Sequence, residues 1–274
     1  MATDITQLVF PTVSDNCRQV IELLSSNEPD FKKLEIVLSR SDTLSRAVIK
    51  YSNSPFHHRD NEISDVVTAI NILGLANIYN AVMATILKDY VRDNVTGSRI
   101  LQHCVTISAL ASFIASKTRR HIQHEIELLG ILHDLPSLVL CRNFKPEYRE
   151  MAKSLSAVTP TLDVLEQEKF AVARCDLLNP ALQDLALPPK FGEMLGRYHA
   201  IVEPEQAEED DYMIILSMAH HMELNVIPQN HRLPDTVPGD KKSLLEKLAI
   251  SEDDYAILIN ECQDFINEHI ALVV

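Results

Sequence analysis

Eleven histidines give this 274-residue chain most of its chemical potential, and four of them stand where a helix would turn them inward. His103 recurs with Ile107, Leu110 and Ile114, and His133 with Ile126 and Leu129. His199 follows Phe191 and Leu195, and His220 falls in line with Met213, Leu216 and Leu224. All these spacings fit the apolar stripe of an amphipathic helix. A lone histidine on such a stripe is commonly a core residue hydrogen-bonded to a neighbour. Four on separate helices are harder to place, because burial requires a partner for both ring nitrogens of each. Imidazoles converging on a metal ion would supply those partners.

Asp134 sharpens the pattern. It follows His133 directly, and Pro136 forbids easy continuation of the helix that carries them. At a helix C-terminus a carboxylate faces the negative end of the macrodipole, which is unfavourable by roughly 0.3–1 kcal/mol. A metal ion, a protonated histidine or an arginine would offset it, and the dipole argument does not choose among them. The other histidines carry less weight. His57 and His58 fall in a loop, His121 and His124 flank a helix junction, and His231 and His269 have no apolar register.

Helical periodicity recurs along the whole chain, so the expected fold is all-α: an irregular set of helices joined by short loops. Apolar stripes predict helices over 15–26, 31–39, 42–52, 63–73 and 77–90, with Asp42 at a helix start, Gly74 as a stop signal and a break at Asn53-Ser54-Pro55. Two further helices, 99–118 and 123–135, would carry His103 and His133. Others are expected at 145–156, 161–178, 189–200, 209–225 and 252–270. The segment Ile227 to Lys242, with three prolines, reads as an extended connector. Asp93 to Ser98 is the best internal boundary, dividing the chain into 1–95, 96–226 and 227–274.

Composition narrows the function classes. Gly is scarce (6) and apolar residues make up 46%, which favours a packed helical protein over a turn-rich or disordered one. No run approaches the roughly 18 apolar residues of a membrane span, and the N-terminus lacks a secretory pattern, so no membrane partner is expected. Five scattered cysteines form no CxxC pair and read as reduced thiols, which implies a cytoplasmic location. A net charge of −14 without a basic cluster disfavours nucleic acid.

His103 followed thirty residues on by His133-Asp134 resembles the HD superfamily of metal-dependent phosphohydrolases. More specifically, the chain resembles HDOD-domain proteins, bacterial signalling relatives of the HD-GYP phosphodiesterases. The likeness lies in "LSRSDTLSRAVIKYSNSPF" with "EISDVVTAINILGLANIYNAVMATIL", and in "LQHCVTISALASFIASK" with "EIELLGILHDLPSLVL". Weaker similarity continues through "LALPPKFGEMLGRYH" and "IILSMAHHMEL", so that residues 15 to 225 are covered. The resemblance implies an N-terminal helical part of the HDOD module over 1–95 and an HD-like half over 96–226. It also implies that His103, His133 and Asp134 are metal ligands, with His199 as a further histidine ligand.

Departures from the catalytic pattern accompany the likeness. Where the family closes its site with a late aspartate, this chain has Ala219-His220, which makes His220 a substitute ligand. The family's His-Asp-Ile-Gly-Lys appears as His133-Asp134-Leu135-Pro136-Ser137, and no Gly-Tyr-Pro follows. A two-metal hydrolase needs bridging carboxylates to neutralise its ions and a cation for the developing phosphoryl charge, and both are depleted here. A mononuclear site for a divalent transition metal (Fe, Ni, Zn or Mn) is still compatible with the donors. The expected function is a non-catalytic signalling or regulatory module that works through contacts with a signalling protein partner, its old pocket kept as a polar core site or a small-ligand sensor. The competing readings are an active metal-dependent phosphohydrolase for a nucleotide or cyclic dinucleotide, and a helical adaptor whose histidines are simply core.

Overall fold

Short polar side chains set the helix starts. Asp30, Ser41, Asp65, Asn94, Asp210 and Asp240 each accept a hydrogen bond from a backbone N–H three residues on, satisfying a donor with no partner inside its helix. The computed structural model describes residues 3–24, 26, 28–53, 62–153, 162–199, 210–228 and 239–273. From the N-terminus come α1 (Asp15–Leu24), α2 (Phe31–Ser39), α3 (Asp42–Ser52), α4 (Val66–Tyr90), α5 (Val95–Thr118) and α6 (Gln123–Leu132). Then follow α7 (Leu135–Asn143), α8 (Lys145–Lys153), α9 (Leu162–Phe170), α10 (Arg174–Asp184), α11 (Pro189–His199), α12 (Asp211–Val226), α13 (Lys241–Leu248) and α14 (Glu252–Val273). Among the described residues there is no strand, as the periodicity predicts.

Helix α5 is the central rod. From Ile100 to Ala115 nearly every side chain is buried, and the helix packs against α4, α6, α7, α12 and α14. Its closest neighbour is α6, and Gly130 explains why. A Cβ at Gly130 would lie 2.4 Å from the Ser108 Cα, so the two backbones touch where a side chain would hold them apart. Ser108 Oγ donates to the Glu127 carbonyl at 2.7 Å in the same crossing. Helices α4 and α5 are long and apolar enough to cross a membrane by length and composition alone, yet 56% and 78% of their apolar windows are buried within the fold. They are core helices here.

Several sequence expectations change. Gly74 does adopt a left-handed conformation (φ 69°), but the chain re-enters helix at once, so the pair expected at 63–73 and 77–90 forms one kinked element. The helix expected over 161–178 is two helices, because Ala171 (φ 49°) turns the chain between α9 and α10. Lys241 already lies in α13, so the end of the expected connector is helical. Ser54, Pro55, His57, His58, 154–156, 161, 200, 209, 229–238 with His231, and the His269 side chain lie outside the described residues.

Helix α6 ends at Leu132 rather than running to 135, and α7 begins at Leu135. Pro136 cannot extend α6, since it has no N–H to donate, but it suits the first turn of α7. Asp134 therefore sits between two helices, at the N-cap position of the second but with no side-chain bond to its backbone. The unfavourable dipole expected from α6 is offset by the positive end of α7.

Candidate metal centre

Two helices and one junction bring the reactive groups together. His103 comes from the middle of α5, His220 from the middle of α12, and His133-Asp134 from the α6–α7 junction. The close α5–α6 crossing at Gly130 sets the His103 and His133 ring centroids 5.1 Å apart. The His220 ring lies 5.4 Å from the first and 5.0 Å from the second. One nitrogen from each of the three lies within 4.8 Å of the other two. All three imidazoles are buried, as is Asp134.

Each ring has its Nδ1 occupied. His133 Nδ1 pairs with the Gly130 carbonyl at 2.8 Å, His220 Nδ1 with the Leu216 carbonyl at 2.8 Å, and His103 Nδ1 with Glu223 Oε1 at 2.8 Å. A carbonyl can only accept, so His133 and His220 carry their protons on Nδ1 and direct Nε2 lone pairs inward. The carboxylate of Glu223 does the same for His103. Two Nε2 atoms then face each other at 3.2 Å between His133 and His103. Asp134 Oδ2, buried without a hydrogen-bond partner, lies 3.8 Å from each. Lone pairs gathered this way repel unless a cation sits among them.

The spacing fits a metal ion. The circle through those three atoms has a radius of about 2.1 Å, the bond length of zinc to an imidazole nitrogen or a carboxylate oxygen. A set of three nitrogens and one oxygen also suits iron or nickel. A proton is the weaker candidate. Burial pushes His133 down to about 4 and His220 down to about 3, in each case disfavouring the imidazolium.

The other oxygen of Asp134 is already paired. Arg174, the first residue of α10, donates to Asp134 Oδ1 at 3.0 Å, to Glu166 Oε2 at 2.8 Å and to Ser137 Oγ at 3.0 Å. Tyr148 donates to the remaining Glu166 oxygen. Burial alone would raise Asp134, but the neighbouring His133, Arg174 and His103 outweigh it and hold the carboxyl well below its usual range. With the imidazoles neutral, Arg174 is the lasting source of that effect.

Of the residues singled out by sequence, His103, His133, Asp134 and His220 converge. His199 does not join the three-histidine group. It stands at the end of α11 with its Nε2 buried and unpartnered, and burial, then the charge of Arg174, push it down to about 4. Three residues escaped the sequence reading. Glu223 lies one turn beyond His220, where the apolar spacing points instead to Leu224, which is 47% exposed. Glu223 could have been found by stepping three residues from His220 rather than four. Tyr198, whose Oη lies 3.3 Å from His220 Nε2, neighbours His199 in sequence and had no separate signal. Arg174 was hidden inside a helix expected to be continuous.

An all-α scaffold that buries a histidine–aspartate cluster at the meeting of three helices defines the general class of protein. The chain belongs to the HDOD domain family, which matches residues 10–201. No curated protein sequence matches it significantly. Among solved structures it is similar to an HDOD domain protein of unknown function from Geobacter sulfurreducens, with 17% identity over 98% of this chain and 94% of that one and a TM-score of 0.72. It is also similar to a proposed metal-dependent phosphohydrolase from Shewanella amazonensis (15% identity, 98% and 94% covered, TM-score 0.68). A proposed signal transduction protein from Marinobacter aquaeolei shares 16% identity over 96% of this chain and 60% of that one, with a TM-score of 0.69.

Proposed function

We propose that this protein is a non-catalytic, cytoplasmic regulatory HDOD module that acts through contacts with a signalling partner. Its histidine–aspartate cluster would hold one divalent transition metal as a structural tie. The observation that carries the reading is burial of the whole donor set: His133 and Asp134 are 0% exposed, His220 1% and His103 4%. Structural metal sites are closed by protein ligands, whereas catalytic ones keep a position open to water or substrate. His103, His133, Asp134 and His220 would be the ligands. Bound there, the metal would supply a fixed positive charge among four buried donors.

The chain's own residues do the remaining work. Glu223, Gly130 and Leu216 fix the ring orientations through Nδ1, and Arg174 keeps Asp134 ionised with one oxygen turned to the cluster. The tie would join α5, the α6–α7 junction and α12, stiffening the surface that a partner reads.

A second reading has one specific support. Arg174 lies against Ser137, the residue standing where the catalytic family has its lysine, so a cation is present near Asp134 after all. That favours retained phosphohydrolase chemistry on a nucleotide or cyclic dinucleotide. Metal analysis and phosphatase assays separate the two. The regulatory reading expects about one transition metal per chain, lost in His133→Ala and Asp134→Ala, and no turnover after supplementation with Fe, Mn, Ni or Zn. Turnover that disappears in those variants would establish the second reading instead. Metal-free protein of unchanged stability would return the histidines to the role of ordinary core residues.

A further inference from the structure

Segment 3–10, which contains one 3₁₀ turn (Ile5–Gln7), is fastened at both ends to the last residues of three helices. Thr3 Oγ1 donates to the carbonyl of Phe170, the last residue of α9, at 2.6 Å. The Val9 N–H donates to Oδ1 of Asn143, the last residue of α7, at 2.8 Å. The Val9 carbonyl accepts from Asn143 Nδ2 at 2.9 Å and from the hydroxyl of Tyr90, which ends α4, at 2.6 Å. No side chain of 3–10 is fully buried, and Ile5, Leu8 and Phe10 are only partly covered by the core. A segment held by a few half-exposed hydrogen bonds and little apolar area opens at a low free energy.

Both anchors lead to Arg174. Phe170 is followed at once by Ala171, whose φ of 49° is a conformation that alanine disfavours, and Arg174 starts α10 three residues on. The Phe170 ring stacks on that of Phe144, the neighbour of Asn143, at 5.0 Å, and on that of Tyr148 at 5.9 Å. Tyr148 donates to Glu166, Glu166 accepts from Arg174, and Arg174 reaches Asp134. Thr3 holds one side of a disfavoured turn, and Arg174 holds the other through its two acids.

We propose that segment 3–10 is a latch coupled to the histidine–aspartate cluster: it is seated while the 171–173 turn keeps Arg174 on Asp134, and released when that hold is lost. The turn is the element whose equilibrium both ends bias. Linkage makes the effect reciprocal, so a protein partner that draws the segment away loosens Arg174 from Asp134. The latch deepens the regulatory reading and rests on it for its use, since it gives a change at the buried cluster a route to the surface.

Hydrogen exchange of the full chain tests the coupling from both ends, in the presence of chelator so that the outcome does not depend on a bound metal. The Val9 amide, bonded to Asn143, reports on the segment. The amides of Ala171 and Asp176, bonded to the Gln167 and Ala173 carbonyls, report on the turn. Arg174→Ala is expected to speed exchange at Val9 about tenfold or more. Thr3→Val, a change outside the core that keeps the test decisive if Arg174→Ala does not fold, should speed exchange at the turn about threefold or more. The double variant should gain less than the two effects multiplied. Arg119→Ala removes a guanidinium from Asp211 and the Lys247 carbonyl instead, and should leave Val9 at the parent rate. Parent-like exchange at Val9 in Arg174→Ala, parent-like exchange at the turn in Thr3→Val, or equal acceleration in Arg119→Ala and Arg174→Ala would each overturn the latch. Failure of the regulatory reading shows as phosphatase turnover instead, with these rates unchanged.

Discussion

Replacing Arg174 with alanine removes one guanidinium and strands two buried carboxylates. Asp134 is 0% exposed and Glu166 1%, and both oxygens that Arg174 contacts would lose a charged partner. In metal-free protein, breaking a buried pair in this way costs about 3–5 kcal/mol, because each carboxylate is left buried without its charged partner. For a chain of this length that corresponds to a drop of roughly 5–9 °C in Tm. The loss should depend on pH. Burial already raises Glu166 above its usual value, and without Arg174 it rises further. A carboxyl raised in the folded state keeps its full contribution below its unfolded value and loses it as pH climbs, so the variant should lag the parent least near pH 4 and most near pH 8. Urea unfolding across that range measures the gap, and Glu166→Gln/Arg174→Ala should recover part of it at high pH. A loss under about 1 kcal/mol that does not change with pH would refute the account of Arg174 as the partner of two ionised, buried acids.

Three more outcomes follow from the same geometry. Burial lifts Glu127 to about 8, so it folds neutral and unfolds ionised above its ordinary value of 4.5. Stability is thus lost as pH rises from 4.5 towards 8, and Glu127→Gln should gain about 3 kcal/mol at pH 7 and almost nothing at pH 4 in the same unfolding assay. Glu223→Gln weakens the acceptor for His103 Nδ1 and should lower transition-metal affinity about 10- to 100-fold in a chelator competition, with the helical spectrum intact. Gly130→Ala places a methyl group 2.4 Å from the Ser108 Cα, which should destabilise the fold by about 1–3 kcal/mol in thermal melts.

How much of this was legible in the sequence follows the range of the forces involved. Helix existence was legible because apolar periodicity is local: His103, His133 and His220 each announced an inward face through neighbours four or seven residues away, and the rings do meet. Asp134 was legible as a residue needing a cation, but the sign of its dipole was misread. Pro136 marks the end of one helix and the start of the next equally well, and only the packing of α7 decides between them. The stripe through His220 is ambiguous by one residue, because Glu223 and Leu224 both lie about one turn on and an aliphatic side chain is the default inward choice. The structure buries the acid since His103, 120 residues earlier, holds it there. Arg174 was the least visible. Its position depends on Ala171 adopting a left-handed conformation, for which alanine gives no sign, in contrast to the glycine at position 74. A cation as the first residue of a helix is also locally unfavourable, since it faces the positive end of the dipole. That local misfit is tolerated only because Asp134 and Glu166 arrive from α7's start and from α9. A residue that violates its own helix's preference and satisfies two distant acids is legible only after the chain has folded, which is why the cation anticipated for Asp134 could be required by the sequence without being located in it.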